Sequence, residues 1–273
     1  MSFRIGSMGI SLGAIRSLRS AESAIARSSA RLASGLRINS AADDAAGLAI
    51  SERFRADVAS LQRAQLNTAD GIGIAETAQG GLSEISSLLS EARALAIQSS
   101  NGTLGGQTRA MLDDQFQSIL ADIDAIAAST SFGTFDPLVN SGQQIEIAVG
   151  TTAGDTIAVT GVDATASALG AGGVDIATQT GAGSAITAID DAIANTSALA
   201  ARFGIAENRL ESRSRLLGVQ IEATAAAESR IRDADFATET ALLTRNQIIQ
   251  ESAIAVLGQA NTNMSLVLRL LGT

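Results

Sequence analysis

Apolar residues recur at three- and four-residue intervals almost from one end of this chain to the other, and a single proline, Pro137, interrupts it. Ile15, Leu18, Ile25, Leu32 and Leu36 form the first stripe. Phe54, Val58 and Leu61 resume it, and Leu82, Ile85 and Leu89 carry it on to Ile97. Leu112, Phe116, Ile119, Ile123 and Ile126 form another. Beyond the middle of the chain come Ile186, Ile189, Ile193, Phe203, Leu210, Leu217, Ile221 and Ile231. The last stripe is Ile249, Ala253, Val256, Ala260, Met264, Val267 and Leu271. This is the period of amphipathic α-helices. Proline would break such helices by removing a donor and crowding the preceding turn, and only residue 137 can do so. The pattern from Asp43 to Gln98 predicts one helix of roughly 80 Å, at about 1.5 Å per residue. A helix of that length needs a neighbour along it.

Aromatic residues make up only 3% of the chain, so the apolar surface is mainly Ala, Leu, Ile and Val. Small side chains let helices approach closely. Chain ends are usually polar and frayed. Here both ends are apolar and periodic, so they must bury their stripes against each other or against other copies. The fold class predicted is mainly α, with long antiparallel helices in a coiled-coil-like rod and the N- and C-termini paired. "SSNGTLGG", Ser99–Gly106, is the turn between two of these helices. In the middle, Ile145, Ile147, Val149, Ile157 and Val159 alternate with other residues across "TTAGD", which predicts a β-hairpin. The Gly-, Ala- and Thr-rich stretch after it has no strong period and reads as a short irregular excursion, the most mobile part of the chain. There Thr165→Asp is expected to be neutral.

Several function classes fall away on composition. The chain has no His, Cys, Trp or Tyr, and all 19 of its basic residues are Arg. Asp, Glu, Ser and Thr remain as bases or nucleophiles, so no enzyme, cofactor or metal site is expected. The arginines near the N-terminus are spread among Ile and Leu, no aromatic platform accompanies them, and the net charge is −9. That is not a nucleic-acid footprint. From Ala110 to Ala201 there are eleven acids and no base, a solvated surface. Gly6, Ser7, Gly9, Ser11 and Gly13 make the opening too polar for a signal-peptide core. Charged or amide residues interrupt every apolar stretch before membrane-spanning length, so no membrane insertion is expected. "GIGIAE", Gly71–Glu76, lacks the third glycine and preceding strand of a dinucleotide loop. The adjacent acids Asp43 and Asp44 follow Asn39 and Ser40, both favoured N-cap types. Carboxylates in a first helical turn meet the positive end of the helix dipole, so this cluster is a helix start.

The string "RLASGLRINSAADDAAGLAIS", Arg31–Ser51, resembles the most characteristic segment of bacterial flagellins. "QLNTADGIGIAETAQGGLSEI", "SSNGT", "QIEIAVGTTAGDTI" and "SRIRDADFATETALLTRNQIIQESAIAVLGQAN" also resemble flagellin segments, in that family's order. The likeness is weakest from about residue 160 to 183. It implies a terminal helical inner-tube domain of residues 1–40 plus 235–273. A helical rod domain, 41–234, would carry the hairpin and excursion at about 131–183. Ile15, Leu18, Ile25, Leu32, Ile249, Val256, Ala260, Met264, Val267 and Leu271 would make subunit contacts. Asn39, Ser40, Asp43 and Asp44 would form the spoke and the start of the rod helix.

The function implied is a secreted structural subunit, exported without a cleaved signal peptide, that self-assembles into a thin filament of the bacterial flagellum. Its partners would be copies of itself, an export chaperone, the type III flagellar export apparatus, the filament cap and hook-associated proteins. Two alternatives are a hook–filament junction protein of the same superfamily and a secreted helical adhesin. In many flagellins the segment matching "LSEARALAIQ" is touched by a Toll-like receptor. Here Leu89, Arg93, Leu95 and Gln98 follow that pattern, whereas Glu91 and Ala94 depart from it, which implies weak receptor binding. The same face would meet neighbouring subunits. Glu91 would then pair with an arginine from residues 202–215 or 53–63, since residues 110–201 have none.

Overall fold

The computed structural model describes residues 7–271. Their elements are α1 (Ser7–Ser34), α2 (Ala45–Ser100), α3 (Gly106–Ser129), β1 (Gln144–Ala148), β2 (Thr156–Thr160), α4 (Ala166–Leu169), α5 (Gln179–Arg232) and α6 (Phe236–Leu271). They divide into two compact units, residues 1–56 with 223–273 and residues 57–222, so α2 and α5 contribute to both. At 56 residues, α2 is about 84 Å long by helix rise.

In the second unit the sequence stripes become a shared core. Leu82, Ile85 and Leu89 of α2, Phe116 and Ile123 of α3, and Ile189, Phe203 and Leu210 of α5 are almost wholly buried in one cluster. α2 and α5 run antiparallel, since Gln79 donates to Glu207 and Arg93 to Asp190. Arg109, in the first turn of α3, donates from Nε to the Ser99 carbonyl and from Nη2 to that of Asn101, each at 2.9 Å. Ser99 is in the last turn of α2, where carbonyls have no partner in their own helix, and Asn101 lies just beyond its end. A β-carbon on Gly81 would lie 2.7 Å from both Leu138 Cδ1 and Thr130 Oγ1, so that position has no room for a side chain.

The hairpin pairs Gln144 with Thr160 and Ala148 with Thr156. Its alternation is as the sequence implies: Ile147, Val149, Ile157 and Val159 enter the core, and the residues between them face water. Two helices hold it from outside. Asn67 Nδ2 donates to the Ala148 carbonyl at 3.2 Å, and Arg213 Nε to that of Val149 at 2.8 Å.

The segment after the hairpin corrects an expectation. It is irregular, but Val162, Ala164, Ala166, Leu169, Ala171 and Ile176 are buried in the same core. Its backbone is tied down by distant side chains. The Ala166 and Ile176 N–H groups donate to Asp124 and Asp113, each at 2.8 Å. Gln117 and Asn195 donate to the carbonyls of Val174 and Leu169, and Ser99 to that of Ile176. It is a strap closing the core, not a loose excursion. Asp113 and Asp124, read from sequence as solvated acids, are its anchors.

Candidate assembly surface

α1 packs against α6, and the seam is built from small residues. Ala14, Ala21 and Ser28 of α1, seven residues apart, are buried. So are Glu239, Ala253 and Ala260 of α6, all on multiples of seven from one another. A seven-residue repeat is the period at which two helices keep one face together. The larger apolar residues flank the seam instead of filling it. Val256 is 46% exposed, Ile249 37% and Ile15 38%, whereas Leu18, Ile25 and Leu32 are half-buried. Ile248, Ile254 and Leu266 are exposed as well. The side chains of Met264, Val267 and Leu271 lie outside those the structure describes. Of the C-terminal contact residues named from sequence, Ala260 is therefore spent on the partner helix, while Ile249 and Val256 remain open. Sequence reading missed Ala14, Ala21 and Ser28, although their seven-residue spacing was visible.

The terminal unit is closed by a short clasp where α1 leads to α2 and α5 to α6. α1 ends at Gly35, whose φ of +72° reverses the chain at little cost for glycine. Leu36 then bridges antiparallel to Asp233. The Arg37 N–H donates to the Arg232 carbonyl at 2.6 Å, and that of Ala234 to Gly35 at 2.9 Å. Arg37 Nη2 reaches the Ile231 carbonyl at 2.6 Å. Charges lock the clasp. Arg232 Nη1 lies 2.7 Å from Glu52 Oε1, and Arg31 lies 3.9 Å from Asp43 and 3.8 Å from Glu239.

The spoke residues divide the labour differently from the sequence reading. Asn39 and Ser40 are not the N-cap of α2. Asp44 is, with its Oδ1 accepting the Gly47 N–H at 2.9 Å. Asp43 turns back: its Oδ2 accepts from the Asn39 N–H, the Ser40 N–H and the Ser40 hydroxyl. Asn39 Nδ2 donates to the Ala30 carbonyl and the Ser34 hydroxyl, fastening the spoke to the end of α1. The reason is geometric. Residues 41–44 separate Ser40 from Ala45, the first residue of α2, so Asn39 and Ser40 lie too far back to cap it and the adjacent Asp44 does so.

Three carboxylates here are held below the ordinary range. The Ser40 hydroxyl and N–H do this to Asp43, with the Arg31 charge a smaller cause. The Arg232 hydrogen bond does it to Glu52. The Thr238 hydroxyl does it to Asp235, which caps α6 by accepting the Ala237 N–H at 2.9 Å. In the second unit Asp190 raises the Arg93 guanidinium. None of these carboxylates gathers into a metal-binding group among the described residues.

The face carried over from the receptor-binding segment also changes. Leu89 is wholly buried and Leu95 nearly so, both in the core. Glu91 and Gln98 are exposed, and Arg93 is half-buried and tied to Asp190. Leu89 and Leu95 therefore offer no surface to a receptor, because they sit on the inner stripe of α2. No helix among the described residues is long and apolar enough to cross a membrane.

Comparison with known proteins agrees with this architecture. The bacterial flagellin N-terminal helical region matches residues 5–141, and the bacterial flagellin C-terminal helical region matches residues 186–271. The hairpin and strap fall between them. A flagellin of Halalkalibacterium halodurans is 42% identical over 243 residues, 88% of this chain and 89% of that protein. A flagellar filament 30.7 kDa core protein of Treponema maltophilum is 33% identical over 260 residues, 88% of this chain and 90% of that protein. The crystal structure of Bacillus cereus flagellin superposes with a TM-score of 0.51 at 30% identity, covering 55% of this chain and 88% of that one. On both family regions and on identity along most of its length, the chain belongs to the bacterial flagellin family.

Proposed function

We infer that the chain is a structural subunit that self-assembles into the helical filament of the bacterial flagellum. The observation that carries this is the pairing of α1 with α6 through alanines, which leaves Val256, Ile254, Ile249 and Ile248 exposed. A folded chain does not keep such a band in water without a use for it. Identical copies that bury it through non-closing contacts make a helical polymer. Relatives spanning most of the chain are flagellins and filament core proteins, which favours the filament over a hook–filament junction or an adhesin.

Residues 1–40 with 235–273 act as the inner tube and residues 41–234 as the rod. The subunit leaves the cell without a cleaved signal peptide. An export chaperone, the type III flagellar export apparatus, the filament cap and hook-associated proteins handle it on the way. Binding to the flagellin-sensing Toll-like receptor is weak, since Glu91 and Ala94 replace the segment's usual arginine and glutamate. The test is electron microscopy of the purified protein after seeding with fragments of its own filament. Thin, smooth filaments are expected. Protein that stays soluble at every concentration overturns the reading.

A further inference from the structure

The arginines left unpaired on α5 match the acids left unpaired on α2 in spacing as well as in sign. Four arginines lie between residues 202 and 215. Arg213 is engaged by the Val149 carbonyl and Asp155, and Arg215 by Glu211. Arg202 and Arg209 remain. Both are exposed, and no ion pair among the described residues includes them. They are two helical turns apart, about 10.5 Å, and Ile205, 61% exposed, stands between them. On α2, Glu84 and Glu91 are also exposed and outside every such ion pair, and they too are two turns apart. Between them on the same outer stripe is the small residue Ser87. Both stripes point away from the core of the second unit, whose inward residues on these helices are Leu82, Ile85 and Leu89, and Thr196, Phe203 and Leu210.

We propose that Arg202, Ile205 and Arg209 of one copy dock on Glu84, Ser87 and Glu91 of a neighbouring copy, as a lateral contact between subunits. This rests on the filament reading. Copies of like polarity set α2 of one against α5 of the next in opposite chain directions, because the two helices are antiparallel within the unit. Glu84 then faces Arg209, Glu91 faces Arg202, and Ile205 enters the gap over Ser87. The occupant is a second copy because the match is mutual: each chain carries both halves once, and the contact propagates without closing.

Two double variants and their mixture test this. Glu84→Arg/Glu91→Arg and Arg202→Glu/Arg209→Glu are each expected to raise the critical concentration for seeded polymerisation at least about tenfold, through like-charge contact. Mixed one to one they present opposite charges at every alternating contact, and polymerisation is expected to return. Polymerisation of either double variant alone at the wild-type concentration, or no recovery on mixing, overturns the proposal. Circular dichroism checks that the monomers are folded. If a reversal unfolds its monomer, Glu84→Gln/Glu91→Gln and Arg202→Gln/Arg209→Gln replace it, and each must raise the critical concentration severalfold. Wild-type protein that forms no polymer from seeds would instead overturn the filament reading itself.

Discussion

At the scale of single residues, the clasp divides its two adjacent acids between two tasks, while Arg31 Nε, Arg232 Nε and Glu239 Oε1 stay buried without a hydrogen-bond partner. Asp44 closes the start of α2 and Asp43 closes the turn before it, so the two acids are not interchangeable. Asp44→Ala should cost about 1 kcal/mol, the usual loss for an N-cap, read as a lower melting temperature. Equal stability of mutant and wild type would show that the cap contributes nothing. The three depressed carboxylates, Asp43, Glu52 and Asp235, carry a pH consequence. A group whose folded pKa is lowered contributes stability that is present above its unfolded value, about 4, and is lost as pH falls through the folded one. With no His, Cys, Tyr or Lys, only the N-terminal amine titrates between about pH 6 and 10. Urea unfolding should therefore give a plateau over that range and a fall below about pH 4. Asp235→Asn should flatten the acid limb, and stability climbing between pH 6 and 8 would contradict the account.

At the scale of elements, the strap and α6 make opposite demands on a new charge. Thr165 Oγ1 donates to Asp163 at 2.7 Å and accepts the Ala168 N–H at 3.3 Å, beside a buried Ala166. Thr165→Asp sets a second carboxylate against Asp163. It should destabilise the second unit by about 1 kcal/mol, unlike the neutrality expected from sequence, with thermal unfolding as the measurement. Val256→Asp should leave the monomer's melting unchanged, because the side chain is 46% exposed there, yet block polymerisation, where the charge would be buried unpaired at a cost of several kcal/mol. Normal filaments from this variant would remove α6 from the assembly surface. The difference between these elements is also the difference in what could be read from sequence. Helices and hairpin were legible because their apolar period is local. The strap was not, because its anchors Asp113, Asp124, Gln117 and Ser99 lie dozens of residues away and no period announces them. At the α1–α6 seam the sequence stripe included Ala253 and Ala260 of α6 but not Ala14, Ala21 and Ser28 of α1, because small side chains give little periodic signal beside Ile and Leu.

At the scale of the whole molecule, the two units carry different charge. All eleven acids of the base-free stretch belong to the unit of residues 57–222, whereas the six arginines of the first 40 residues belong to the terminal unit. The apolar clusters built on α2, α3 and α5 lie wholly within residues 57–222, so damage to the terminal unit should spare them. Deleting Gln259–Thr273 removes Ala260 and the end of α6 but nothing of the core formed by α2, α3 and α5. The truncated chain should fail to polymerise. Limited proteolysis should still leave a resistant fragment within residues 57–222, and seeded filaments of normal length from the truncated protein would refute this. The alanine seam has one more consequence. A row of near-identical small side chains repeating every seven residues fits almost as well after a slip of one repeat, so by itself it stores little information about phase. The features that do not repeat lie at one end of the row: the backbone bridge of Leu36 with Asp233, and the pair of Arg31 with the buried Glu239. Together they act as the key that fixes which alanine meets which, as a lone polar residue does in a coiled coil.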